Sequence, residues 1–281
     1  MKSFVLSLLF SFSFLFLNAQ APVSPVKVWS TDTLLRTPES VFYHKAKNVL
    51  YVTNINSVHP KEDDNDGFIS IVSMEGKIIN LKWITGFNDP KGMAEYKGRL
   101  YVGDLKNLVE IDIEKGEIIK KYTAEGTQFF NDVAVDKDGI VYVNDSYANK
   151  VFRLVNGNLE LWMEGEDLKK PNGLYISSKI ALLAKMNEGA VYKMDLTNKK
   201  LIKWAENLPS ADGIASDGKG NFFVSNWNGE VYFVNKEGNS WKILDTKAVK
   251  LNCADIEYLE KSSILLVPTF FGNQVSAYKI N

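Results

Sequence analysis

The stretch FNDVAVDKDGIVYV, residues 130–143, holds the pattern that decides the fold. A polar residue, Asn131, precedes a short apolar run, a turn built from Asp136-Lys137-Asp138-Gly139, and a β-rich run ending at Val143. Asp and Gly supply the side-chain hydrogen bonds and the positive φ that a tight hairpin requires. The same unit recurs on both sides of this stretch, with starts at Glu39, Lys91, Asn131, Asn172, Asp212 and Ala254. Successive starts lie 52, 40, 41, 40 and 42 residues apart, a period that signals an array of supersecondary repeats.

Roughly ten residues after each start comes a strand-like run, such as Val49–Val52, Arg99–Val102, Ile180–Leu183 or Ile264–Val267. Third strands are expected at 67–72, 108–113, 150–154, 190–195, 230–234 and 274–280, and fourth strands in five of the units. Four antiparallel strands make a propeller blade, so the sequence predicts an all-β, six-bladed β-propeller over residues 20–281. The sixth unit ends at Asn281 without a fourth strand, while Val26-Lys27-Val28-Trp29 precedes the first blade. Pairing that N-terminal strand into the last blade would close the ring and cover two sheet edges. The long first spacing comes from a polar loop, 54–66, inserted in blade one. It contains His59 and the acidic run Glu62, Asp63, Asp64 and Asp66, which reads as a solvated loop tip or as a second calcium loop.

Hydrophobic residues at 45% suit a packed globular domain, and about 260 residues are enough for one closed all-β unit. With 33 basic against 34 acidic residues and a net charge of −1, no summed field draws the chain to nucleic acid. Residues 1–19 read as a signal peptide: Lys2, an apolar run from Phe4 to Leu17, then Leu17-Asn18-Ala19 before Gln20. Secretion, to the periplasm or the medium, is therefore expected, with no membrane span in the mature chain. Cys253 is the only cysteine, so no internal disulfide can form, and a buried inert thiol is expected.

In a propeller the innermost strand of every blade starts at the same end of the central channel. The six repeat starts therefore form a ring: Glu39, Lys91, Asn131, Asn172, Asp212 and Ala254. Carboxylate and amide oxygens are the ligands hard divalent cations prefer, so Glu39, Asn131, Asn172 and Asp212 are candidates to hold one metal. Calcium fits best, with Zn²⁺, Mg²⁺ or Mn²⁺ as alternatives. Asn, Asp and Gly are also turn formers that would recur at blade entries for backbone reasons alone. The identity of the ring residue varies from blade to blade while its position does not, which favours the metal. Asp132 and Asp255, each beside a ring position, read as structural.

Thr37-Pro38-Glu39-Ser40-Val41, Phe130-Asn131-Asp132, Pro171-Asn172-Gly173-Leu174 and Ala211-Asp212-Gly213-Ile214 together resemble the metal-site motifs of the senescence marker protein (SMP-30)/gluconolactonase, or regucalcin-like, family. Its relatives include diisopropyl fluorophosphatase and the paraoxonases. The resemblance implies a six-bladed propeller whose central divalent metal serves hydrolysis of lactones, esters or phosphoesters. It implies Glu39, Asn172 and Asp212 as metal ligands and Asn131 as a fourth ligand or a substrate contact. Asp212 would double as the catalytic base. One departure stands out: Phe129 occupies the place where sugar-lactonase members carry a substrate-binding arginine.

That aromatic, with Phe130, Trp227 and Phe270 or Phe271 on loops at the ring end, suggests an apolar small-molecule substrate, although such residues also serve packing. Lys91 could bind an anionic substrate group or pair with Asp89. Of the two histidines, His59 lies on the ring side and could reach substrate, whereas His44 is expected at the surface of the opposite end. With so little histidine and no Gly-x-Ser-x-Gly elbow, serine nucleophile chemistry is disfavoured. The expected function is a secreted metal-dependent lactonase or esterase. The competing reading is a non-catalytic propeller, stabilised by metal, that binds a protein or glycan.

Overall fold

The structure, a computed structural model, describes residues 21–57 and 64–281. The leader reading of residues 1–19 and the substrate contact assigned to His59 lie outside these residues. Each of the six repeats forms one four-stranded antiparallel sheet. Blade one comprises Pro38–His44, Val49–Asn54, Gly67–Val72 and Ile78–Phe87, in that order from the axis outward. Blades two to five repeat this order, with innermost strands Pro90–Tyr96, Phe130–Val135, Pro171–Ile176 and Ala211–Ser216. Blade six takes Glu257–Leu259, Ile264–Pro268 and Val275–Ile280 from the C-terminus and its outermost strand, Pro25–Ser30, from the N-terminus.

Closure is thus as the sequence predicts. Pro25 pairs with Ile280 and Ser30 with Ser276, and the two serine hydroxyls share a hydrogen bond of 2.9 Å. Beyond the ladder, Ser24 and Asn281 exchange two backbone hydrogen bonds, which ties the two ends of the described chain together.

The apolar residues of each strand point alternately to its two faces, and both faces of a blade are covered by neighbouring blades. Six apolar clusters result, each lying between adjacent blades. Tyr51 and Ile69 of blade one meet Leu100, Val102 and Val109 of blade two, and Leu50, Val52 and Val72 meet Leu266, Val275 and Ala277 of blade six. Trp29 of the closing strand packs onto this last cluster. Cys253 is fully buried, and burial pushes its thiol up to about 12, in line with an inert residue. His44 differs from expectation. It is buried, its Nδ1 accepts the Lys47 N–H at 3.2 Å, and its ring lies 5.6 Å from that of Tyr51, because the apolar blade-one interface extends to the end of the strand. No helix among the described residues is long and apolar enough to cross a membrane.

Closure by Trp29 makes a measurable contribution. Trp29→Ala should cost about 2–4 kcal/mol in denaturant unfolding, as removal of a large, largely packed aromatic does; a cost under about 0.5 kcal/mol would show the strand to be decoration. At the channel end opposite the ring, Glu257 bridges blades six and one, accepting N–H bonds from Tyr258 at 3.0 Å and Tyr43 at 3.4 Å. Burial pushes its carboxyl up to about 7. Below the ordinary carboxylate range this group is protonated whether the chain is folded or not. Between that range and about 7 only the folded chain retains the proton, so stability falls as pH rises through the window and levels off above it. Between pH 4.5 and pH 8 the stability of Glu257→Gln should therefore gain roughly 1–3 kcal/mol on wild type; a difference that does not change with pH would contradict this.

Candidate functional site

A single irregularity, repeated five times, builds the site. In blade one Pro38 pairs with Asn54 but Val41 pairs with Val52, so the inner strand carries one extra residue. The same shift occurs between Pro90 and Met93, Phe130 and Val133, Pro171 and Leu174, and Ala211 and Ile214. Each of these β-bulges contains a ring residue and its successor. A bulge leaves a residue unpaired and re-aims its side chain, which here turns Glu39, Lys91, Asn131, Asn172 and Asp212 into one cavity of about 260 Å³. Ala254, the sixth ring position, precedes the short inner strand of blade six; it is fully buried and does not line the cavity.

A bulge also strands a backbone N–H, and second-strand side chains take it up. Ser40 N donates to Thr53 Oγ1 at 2.9 Å, Asp132 N to Asn144 Oδ1 at 3.1 Å, and Gly213 N to Ser225 Oγ at 2.8 Å. Asn144 and Ser225 then reach the next blade, donating to the backbone oxygens of Asn172 and Ala254. Asp132 and Asp255 bridge neighbouring blades. Asp132 Oδ2 accepts from Leu174 N at 2.6 Å, and Asp255 Oδ2 from Ser40 Oγ at 2.6 Å, so each joins two blades. Beside the axis the inner strands approach so closely that Gly92, Gly173 and Gly213 have no room for a Cβ: it would strike Asp132, the Asp212 carbonyl or Asp255.

The four oxygen-bearing ring residues are buried. Burial, then repulsion by Asp212, raises the Glu39 carboxyl well above its ordinary range; burial, then repulsion by Asp255 and Asp132, raises Asp212. Glu39 Oε2 is buried with no hydrogen-bond partner. Asn131 donates its amide nitrogen to Ser146 Oγ at 3.1 Å, and the Asn172 side chain beside Asp212 lowers the pKa of that carboxyl against the larger effect of burial. Asn131 thereby keeps its amide oxygen for another partner. Two carboxylates and two amide oxygens are a donor set for a hard cation. Among the described residues no three His, Cys, Asp or Glu side chains gather as a metal cluster, since half of this set is asparagine.

Lys91 is occupied. Its Nζ donates to the Asp89 carbonyl at 3.0 Å, lies 3.7 Å from Asp89 Oδ2, and sits 4.2 Å from the centre of the Phe129 ring. Burial lowers its pKa, against the opposing pull of Asp89, Glu39 and Asp104. Phe129 and Trp227 both line the cavity, as the sequence suggests. Phe129 stacks on Tyr147 at 4.3 Å, and Trp227 meets Phe270 edge-to-face at 4.6 Å. Phe271 completes the second wall, while Phe130 belongs to the interblade core instead. Tyr147, Met186 and Lys170 also line the cavity and were not singled out from the sequence. The run Lys169-Lys170-Pro171 before Asn172 was the available signal for the last of these.

Known proteins resemble this chain in fold and in sequence pattern. A solved streptogramin B lyase superposes with a TM-score of 0.68 at 11% identity, over 92% of this chain and 97% of that one. The virginiamycin B lyase of Staphylococcus aureus, solved with quinupristin as a catalytically inactive histidine-to-alanine variant, gives 0.63 at 10% identity over 92% and 98%. A structure provisionally described as a gluconolactonase gives 0.68 at 17% identity, over 93% of each chain. At these identities the likeness is one of fold. No functionally curated protein matches significantly. The sequence profile of the SMP-30/gluconolactonase/LRE-like region, however, matches residues 37–256, which span all five bulges and every ring position. The chain belongs to the SMP-30/gluconolactonase/LRE-like family.

Proposed function

We propose that this chain is a metal-dependent hydrolase of a lactone or ester, with Glu39, Asn131, Asn172 and Asp212 holding one divalent cation, calcium in the first instance. The observation that carries the reading is the partnerless, buried Glu39 Oε2, which shares one cavity with Asn131, Asn172 and Asp212. Two buried carboxylates that repel each other through low-dielectric surroundings are costly unless a cation compensates them. When bound, that cation supplies Lewis-acid polarisation of the acyl oxygen, a contribution of several kcal/mol.

The remaining work falls to the chain. Asp212, on the cavity floor, accepts the proton of the attacking water. The Phe129–Tyr147 and Trp227–Phe270 walls bind the apolar part of the substrate and keep bulk water from the floor. Phe129 in place of an arginine argues against a sugar-acid lactone. The lyase neighbours raise a second chemistry, and one of them is inactivated by loss of a histidine. His44, the one histidine among the described residues, is buried at the far end of the strand Pro38–His44 and does not line the cavity.

Purified protein should contain one divalent cation per chain and hydrolyse at least one member of a panel of lactones, aryl esters and phosphotriesters. Chelation should abolish this turnover and calcium restore it. Asp212→Ala should lower kcat/KM by about 10²–10⁴-fold, the range for loss of a positioned acid–base group. Tightly bound metal without turnover of any class would sink the hydrolase reading.

A further inference from the structure

Lys170 lines the cavity, and the metal-site reading gives it no role. Its backbone is in the left-handed region, φ 60°, as is that of Lys169, φ 55°, and neither is a glycine. Such a conformation persists where surrounding contacts fix it. The contacts are present: Lys170 N donates to Asn149 Oδ1 at 2.8 Å, and the carbonyls of Lys170 and Lys169 accept the N–H groups of Met186 and Asn187, each at 3.1 Å. The strained turn thus delivers a cation to the cavity wall directly before the inner strand of blade four.

The two cavity cations differ in what they do already. Lys91 is fully enclosed and engaged by Asp89 and Phe129. Lys170 is half-exposed; its Nζ lies 5.4 Å from the centre of the Tyr147 ring, and it makes no ion pair among the described residues. Its field reaches the floor, where it lowers the Asp212 pKa against the larger opposing effect of burial. Tyr147, 55% exposed, stands beside it, and Phe271, 52% exposed, lines the same cavity. An ammonium without an ion pair among the described residues, beside one aromatic face of a cavity that also holds Phe129, Trp227 and Phe271, is complementary to a ligand with an apolar, preferably aromatic, body and one anionic group.

We infer that Lys170 is a specificity-determining residue that selects an anionic amphipathic substrate, an aryl or alkyl lactone or ester bearing a carboxylate or a comparable anion, over a neutral one. This rests on the hydrolase reading for the word substrate, but the binding preference stands apart from turnover. The test is therefore a binding measurement first. Calorimetric titration with 2-naphthoate and with 2-naphthamide, which share an aromatic body and differ in charge, should show wild type preferring the anion by roughly tenfold, the value of one charge-assisted contact. Lys170→Ala should erase most of that preference, and Lys170→Arg should keep it. If wild type binds the two equally, or if Lys170→Ala retains the preference, the inference is overturned.

Where an ester is hydrolysed, phenyl acetate and 4-acetoxybenzoate repeat the comparison through KM. A Lys170 that served only to tune Asp212 would change kcat for both esters alike and shift the pH profile, with no change in the KM ratio; that result also overturns the inference. A lasting anion preference without turnover of any ester would refute the hydrolase reading while leaving the ligand class intact.

Discussion

The constraint on which the molecule depends is geometric: six inner strand ends must meet around one axis, so closely that three of the five bulges hold a glycine with no room for a Cβ. Five of them meet it by the same device, one extra residue at the channel entrance. The extra residue aims a side chain at the axis, strands a backbone N–H, and brings the next inner strand within contact of the peptide that follows. Each consequence has its own answer in the sequence. Thr53, Asn144 and Ser225 take up the stranded donors, and Gly92, Gly173 and Gly213 concede the space. The network that holds the blades together at the axis is therefore the same network that presents the ring residues.

Because polar side chains are forced together there, the centre of the fold is electrostatically costly. Glu39, Asp132, Asp212 and Asp255 are all carboxylates raised above their ordinary range, burial being the first cause in each case. Asp132 and Asp255 recover part of this through short hydrogen bonds to neighbouring blades. Glu39 has no such bond at Oε2, which sets it apart from the two carboxylates that knit the fold. Lys170 and Phe270, with φ of 60° and 45°, line the cavity in the left-handed conformation that turn residues elsewhere in the blades also adopt, and neighbouring contacts fix them there.

Much of this was legible in the chain. The repeat at Glu39, Lys91, Asn131, Asn172 and Asp212 fixed blade number and ring membership, since hairpin turns and apolar runs recur at constant spacing. The unpaired runs at the two ends anticipated closure by Pro25–Ser30. Other features were not legible, for identifiable reasons. Second strands such as Val141–Asp145 run two residues past their apolar segments, because their last side chains answer bulges in another strand, and a bulge has no signature in one sequence. His44 was misplaced at the surface because a polar residue at a strand end reads as exposed, whereas an interblade interface buries it. Lys170 escaped because its importance lies in a strained turn that pairs it with Tyr147, 23 positions away in sequence, and spacing within a repeat carries no information about that meeting.

The central claim is that four side-chain oxygens on the axis share one cation, and the most direct measurement is a crystal structure of protein grown with calcium, or with terbium as its anomalous substitute. A single strong anomalous peak is expected about 2.3–2.6 Å from oxygens of Glu39, Asn131, Asn172 and Asp212, the range for hard-cation coordination. A peak absent from this ring, with Glu39 Oε2 taken up instead by a protein donor, would contradict the account.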